Sequence, residues 1–327
     1  MKQIVWGIIG CGDVTEVKSG PAFNRVPNSL LAAVMRRDAA KAEDYAKRHQ
    51  VRKWYSDADA LINDKEINAI YVATPPAFHE EYTLAACKAG KSVYVEKPMA
   101  MDSDGCIRMM EVAEKYSCKL SIAHYRRAQP KFLEIRRLIK QKAIGDILSA
   151  ELEFMQTPQA GIENTWRTDP KISGGGLFHD LAPHQLDLMV YLFGNPESAI
   201  GISSNRTGHY AADDFVSGKI IFENQVKFKG VWDFSTTPEN EIDQCEITGT
   251  NGTLRFAVFG NKCELTLDGK TTDLVFDHLP HVQQPMIGQV VNYFLGKGPN
   301  PCSASEAVIV MEMMDKITGK INEQMSK

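Results

Sequence analysis

The chain has 327 residues, 43% hydrophobic and 24% charged, with a formal net charge of −4. That length supports two folding units, and the composition is that of an ordinary globular protein. A near-balanced charge without any long run of Lys or Arg excludes the basic footprint of a nucleic-acid or anionic-membrane binder.

Seven cysteines without CxxC spacing argue against a disulfide framework or a thiolate metal cage. No stretch approaches the roughly 18 apolar residues of a spanning helix, and the apolar run Ile4 to Ile9 is too short for a signal segment. A reducing, cytoplasmic location is expected.

Over residues 1–124, short apolar runs alternate with helical patterns. Ile4 to Ile9, Leu30 to Met35, Ile70 to Ala73, Val93 to Val95 and Leu120 to Ala123 read as strands, apolar at nearly every position, as strands buried on both faces are. Ala39 to His49, Phe78 to Ala89 and Ser103 to Tyr116 read as helices. The alternation predicts an α/β domain, a doubly wound parallel sheet of the Rossmann dinucleotide-binding kind.

The first strand runs into Gly10-Cys11-Gly12-Asp13-Val14-Thr15. A G-x-G turn placed there lets the backbone approach a pyrophosphate at the next helix N-terminus, although Thr15 loosens the match at the third position. The second strand ends in Arg36-Arg37-Asp38. Two guanidiniums stand where an acid would bind a ribose 2′-OH, so NADP is expected in preference to NAD, with Asp38 as the cap of the following helix.

The loop after Ile70 to Ala73 carries Thr74, Pro75, Pro76 and His79 at a strand's carboxyl end, where ligands of open sheets bind. The prolines stiffen a backbone suited to lining a cofactor. His79 either touches the ribose or phosphates or sits at the surface near the next helix. Glu96-Lys97-Pro98 reaches the same edge. A lysine there acts as a base only if its pKa falls about 2 to 3 units from roughly 10.4; otherwise it donates a hydrogen bond as a charged group.

From Tyr125 the pattern changes. After a helix over 129–141, strand-like runs follow one another with hairpin chemistry at "ENQ", "TNG" and "LDGK". Helical patterns cover Gly176 to Phe193, 284–295 and 304–317. Residues 125–327 are therefore expected to form an α+β substrate-binding and oligomerisation domain with a large, mostly antiparallel sheet.

The G-x-G start, "TPPAFHEEYTLAACKAGKSVYVEKP" and "WRTDPKISGGGLFHDLAPHQLDL" together resemble the glucose-fructose oxidoreductase and inositol 2-dehydrogenase family along essentially the whole chain. The resemblance implies that Lys97 sits by the nicotinamide before a cis peptide bond, and that Asp180 and His184 are presented to substrate. An i, i+4 pair does share one helix face. The aspartate would orient a sugar hydroxyl or the histidine, and a histidine suits proton transfer at the carbinol oxygen. Tyr125 and Arg126 are expected near the nicotinamide, and Trp166 and Arg167 over the active cleft. Ala182 replaces a glycine common in the family.

The implied activity is NAD(P)-dependent hydride transfer to or from a secondary alcohol or carbonyl of a sugar, polyol or related compound, by a homodimer or homotetramer. Whether Lys97 or His184 moves the proton stays open. A cofactor- or sugar-sensing regulator without turnover is the alternative. No metal is expected, because His124, His179 and His278 complete no ligand set. The Tyr293-x-x-x-Lys297 pattern, broken by Gly296, is read as chance.

Overall fold

The computed structural model describes residues 2–320. By their contacts these form two units, one built from Met1–Gln129 and Leu279–Val308, the other from Pro130–His278 and the chain from Ile309 onward.

The first unit holds β1 (Ile4–Ile9), α1 (Asp13–Val17), β2 (Ser29–Met35), α2 (Ala39–Arg48), β3 (Lys53–Tyr55), α3 (Ala58–Ile62), β4 (Ala69–Val72), α4 (His79–Lys88), β5 (Ser92–Val95), α5 (Ser103–Lys115) and β6 (Leu120–Ile122). Its strands form one parallel sheet in the order β3-β2-β1-β4-β5-β6. β4 is buried at every position, which explains its unbroken apolar run. Asp38 caps α2 as expected, accepting from Lys41 N at 3.1 Å. β3 was not among the expected strands; it is a three-residue edge strand, partly exposed, with no apolar run to announce it.

All six strands run the same way, so Gly10, Arg36, Ala73 and Glu96 emerge at one edge of the sheet. The order reverses between β1 and β4, the switch point where open sheets of this kind bind ligands.

The second unit holds α6 (Pro130–Lys140), β7 (Ile147–Met155), α7 (Pro170–Ser173), α8 (Gly176–Phe193), β8 (Pro196–Ser204), β9 (Phe215–Phe222), β10 (Lys227–Asp233), β11 (Ile242–Gly249), β12 (Gly252–Phe256), β13 (Lys262–Leu267) and β14 (Lys270–Val275). The sheet order is β14-β13-β12-β11-β7-β10-β9-β8. Every neighbouring pair is antiparallel except β7 with β10. β7, β9 and β10 alternate between buried and more exposed residues, and α8 packs on the buried side through Phe178, 5.0 Å edge-on from Trp232, and through Gln185, which accepts from Trp232 Nε1 at 2.7 Å. β8 also escaped the expected strands, because its side chains are mostly exposed and include proline, serine and glycine.

α9 (Gln284–Phe294) and the start of α10 (Ala304–Ile317) belong to the first unit. This differs from the expected division at 124/125. Phe294 packs 5.5 Å from Trp6, and Asn300 donates to Leu120 O at 2.7 Å while Cys302 O accepts from Ile122 N at 3.1 Å. The late segment thus covers the β6 edge, which would otherwise be open to pairing with another strand. A helical pattern shows which face is apolar, not which sheet it will cover. No described helix is long and apolar enough to cross a membrane.

Candidate active site

In the first unit the G-x-G turn follows from close approach. Gly10 has φ +92, and a Cβ there would lie 2.8 Å from Thr74 N and 2.9 Å from Ala73 C. Only glycine lets the β1 exit pass the β4 exit at this spacing. Gly10 N and Cys11 N both donate to Met35 O, at 2.9 and 3.2 Å. Thr15 is accommodated: its hydroxyl donates to Gly12 O at 2.7 Å, and its carbonyl accepts from Tyr45 OH at 2.8 Å. Asp13 is exposed and Val14 half-buried in the short α1. Cys11 is a buried thiol, pushed up to about 11 by burial, and so is inert.

These residues fit a dinucleotide. A Cβ at Gly12 would meet nothing nearer than Gly10 O at 3.9 Å, so that side of the turn is open. The Thr74 hydroxyl is buried with no partner among the described residues. Arg36 donates to Cys11 O at 3.3 Å and so stands beside the turn, while the Arg37 guanidinium lies 4.8 Å over the Phe78 ring, beside the segment after β4.

His79 has no exposed surface; its Nδ1 lies 2.8 Å from Pro98 O and its Nε2 2.7 Å from Thr74 O. This is neither a surface position nor a ring free to meet a ribose. The imidazole lies between the loop after β4 and the loop after β5, and in its neutral form its single N–H donates to one of the two carbonyls. Burial pushes it down to about 4, against the two carbonyls, which favour the charged ring.

The Lys97-Pro98 bond is cis. Glu96 is 5% exposed, and its carboxylate accepts from the Tyr71 hydroxyl, from Gln283 Nε2 at 2.6 Å and from Lys97 N at 3.2 Å. Tyr94 OH donates to Gln283 Oε1 at 3.1 Å. A buried carboxylate held by several donors fixes the backbone from which Lys97 projects. Tyr125 and Arg126 form a buried turn after β6, the guanidinium 5.6 Å over the phenol ring.

In the second unit, α8 carries Asp180 and His184 one turn apart. Asp180 accepts from Arg167 Nε at 3.2 Å, and Arg167 lies 4.6 Å over the Trp166 ring. The structure thereby brings three of the expected substrate residues together. His184 is 5% exposed, with its ring 5.8 Å edge-on from Phe259, and Ala182 is fully buried. The glycine that opens α8 acts by fit: Gly176 has φ +80, and a Cβ there would lie 2.4 Å from Ala212 Cβ. Gly176→Ala is expected to cost about 1–3 kcal/mol, read as a lower urea midpoint; an unchanged midpoint would show that the turn relaxes freely.

A family model described as "Oxidoreductase family, NAD-binding Rossmann fold" matches residues 4–124, and one for the GFO/IDH/MocA C-terminal domain matches residues 132–255. Oxidoreductase P35 of Formosa agariphila is 43% identical over 321 residues, covering 97% of this chain and 99% of that one. The chain belongs to the Gfo/Idh/MocA family of oxidoreductases.

Among other Gfo/Idh/MocA relatives, trans-1,2-dihydrobenzene-1,2-diol dehydrogenase of Xenopus laevis is 30% identical over 285 residues, 86% of this chain and 83% of that one. A levoglucosan dehydrogenase solved with NADH and levoglucosan matches with a TM-score of 0.87 at 20% identity, covering 96% of each chain, and so shares the fold. What sequence reasoning missed in this family member is the bracing of Glu96 by Tyr71, Tyr94 and Gln283. Gln283 lies 187 residues from Glu96, and no local signal links them.

Proposed function

We propose that the protein transfers hydride between a nicotinamide dinucleotide, NADP in preference to NAD, and a secondary alcohol or carbonyl of a sugar, polyol or related compound. The observation that carries this reading is Lys97, delivered to the sheet edge beside the switch point on a backbone held by buried Glu96. The diol dehydrogenase relative named above supports an alcohol as the reacting group.

Bound nicotinamide would supply the hydride acceptor or donor. The backbone of Gly10 to Val14 would meet its pyrophosphate, Thr74 to Pro76 would line it, and Arg36 and Arg37 would meet a 2′-phosphate. His79 and Glu96 act on the site through the main chain that they hold. An ammonium presents three N–H donors suited to holding an oxygen, and an imidazole can carry a proton on one nitrogen and accept one on the other. We therefore assign the carbinol oxygen to Lys97 and its proton to His184, with Asp180 orienting a hydroxyl and Arg167 with Trp166 gripping the ring.

Fluorescence titration with NADPH and NADH tests the cofactor. Replacing both Arg36 and Arg37 by alanine is expected to weaken NADPH binding about 10- to 100-fold, the loss of one strong charge-assisted contact, and to leave NADH nearly unchanged. A preference for NADH in the unaltered protein would remove the NADP assignment. Turnover is sought with a panel of sugars and polyols by nicotinamide absorbance. Tight nucleotide binding with no turnover, unaffected by Lys97→Ala, would support the sensor instead.

A further inference from the structure

The second unit contains a cavity of about 290 Å³ lined by Pro158, Ile162, Glu163, His209 and Tyr210, none of them among the residues assigned above. We propose that this cavity is a second sugar subsite, taking an uncharged hydroxylated ring joined to the one that reacts, so that the substrate is a disaccharide or glycoside. This rests on the sugar or polyol reading of the site.

Both walls lead to the start of α8. On one side Ile162 O accepts from Thr165 Oγ1 at 2.8 Å and Thr168 Oγ1 at 3.0 Å, which binds the wall to the turn carrying Trp166 and Arg167. Arg167 then meets Asp180 at 3.2 Å. On the other side Ala212, two residues after Tyr210, is the residue that Gly176 fits against. The cavity is therefore anchored on the end of α8 that presents Asp180.

The walls are also preformed. Buried Asp214 accepts from Arg206 N at 2.7 Å, Thr207 N at 3.0 Å and Thr207 Oγ1 at 2.5 Å, while Asn205 donates to Tyr210 O at 2.6 Å. A loop held by so many bonds loses little entropy when a ligand arrives.

The lining sets the chemistry. Pro158 and Ile162 offer an apolar wall to ring C–H groups, and Glu163, His209 and Tyr210 offer hydrogen-bonding ends, the pattern of a small-molecule site. The Tyr210 hydroxyl is buried with no partner among the described residues, and a buried hydroxyl without one is costly. Burial first, and then the charges of Asp214 and Asp233, push that phenol up to about 12. Glu163 in the lining sets a negative charge against a phosphate or a uronate. The volume lies near the roughly 300 Å³ floor for ligand sites, room for one ring and not for a dinucleotide.

The test compares matched pairs, glucose with cellobiose, galactose with lactose and xylose with xylobiose, using the full chain and NADP or NADPH. In at least one pair the disaccharide KM is expected to be about tenfold lower or better. Ile162→Trp, which fills the cavity, should raise that KM at least tenfold and leave the paired monosaccharide within about twofold. Tyr210→Phe should raise it about 5- to 10-fold, the loss of one hydrogen bond. Equal KM values within every pair, or Ile162→Trp acting alike on both members, overturns the subsite. No turnover of any pair would count against the redox reading; calorimetry with the same disaccharides then decides the subsite, upheld if binding is abolished in Ile162→Trp and overturned if the unaltered chain binds none.

Discussion

Lys97→Ala is expected to lower kcat by about 10²- to 10⁴-fold, the range for losing a positioned acid-base or charge-stabilising group, while NADPH affinity stays within roughly threefold. The split follows from where the lysine stands. The nucleotide would be held by the backbone after β1 and by groups after β2 and β4, whereas Lys97 leaves β5 beyond a buried carboxylate anchored to the main chain. Lys97→Arg should recover little, since a planar guanidinium does not place its charge where a compact ammonium does. Stopped-flow single turnovers with fluorescence titration separate the two effects. An unchanged single-turnover rate would sink the assignment.

Acid should weaken both units before their carboxylates titrate. His79 in the first unit and His179 in the second are fully buried, pushed down to about 4 and about 3, in each case chiefly by desolvation; a nearby lysine, Lys97 and Lys320 respectively, adds to it. Both folded-state values lie below the unfolded value near 6.5, so below that pH the unfolded chain binds protons that the folded chain refuses. The stabilisation is complete above about pH 6.5 and is lost as pH falls towards 4, by about 3 kcal/mol for each ring. Glu16 and Asp64, held at about 2 chiefly by Arg48 and Lys53, lose their contribution lower, below pH 4.5. Urea unfolding at pH 7, 5.5 and 4.5 checks this. His179→Gln should flatten the upper part of the acid limb, and midpoints that do not move between pH 7 and 4.5 would show that neither ring is held neutral.

Much of this architecture was legible because burial writes itself into composition. β1, β4 and β5 are buried on both faces and read as solid apolar runs, and α8 was placed at its observed limits. β3 and β8 were not legible, since edge strands that face solvent carry no such run. The positions of Lys97, Asp180 and Arg36 could be read from strand ends and helical spacing. The functions of His79 and Glu96 could not. A histidine beside a cofactor loop looks the same in sequence whether it points outward or lies between two carbonyls, and the donors to Glu96 come from strands and a distant segment that only folding assembles.

The late return of 279–308 has a consequence for synthesis. On the ribosome, residues 1–129 emerge long before Gln283, and the intervening 154 residues take roughly 8–30 s at bacterial or eukaryotic elongation rates. Throughout that interval the nascent first unit has an uncovered β6 edge and a Glu96 lacking one of its donors. The lysine-bearing loop therefore reaches its final form only after Gln283 has been made and has reached Glu96.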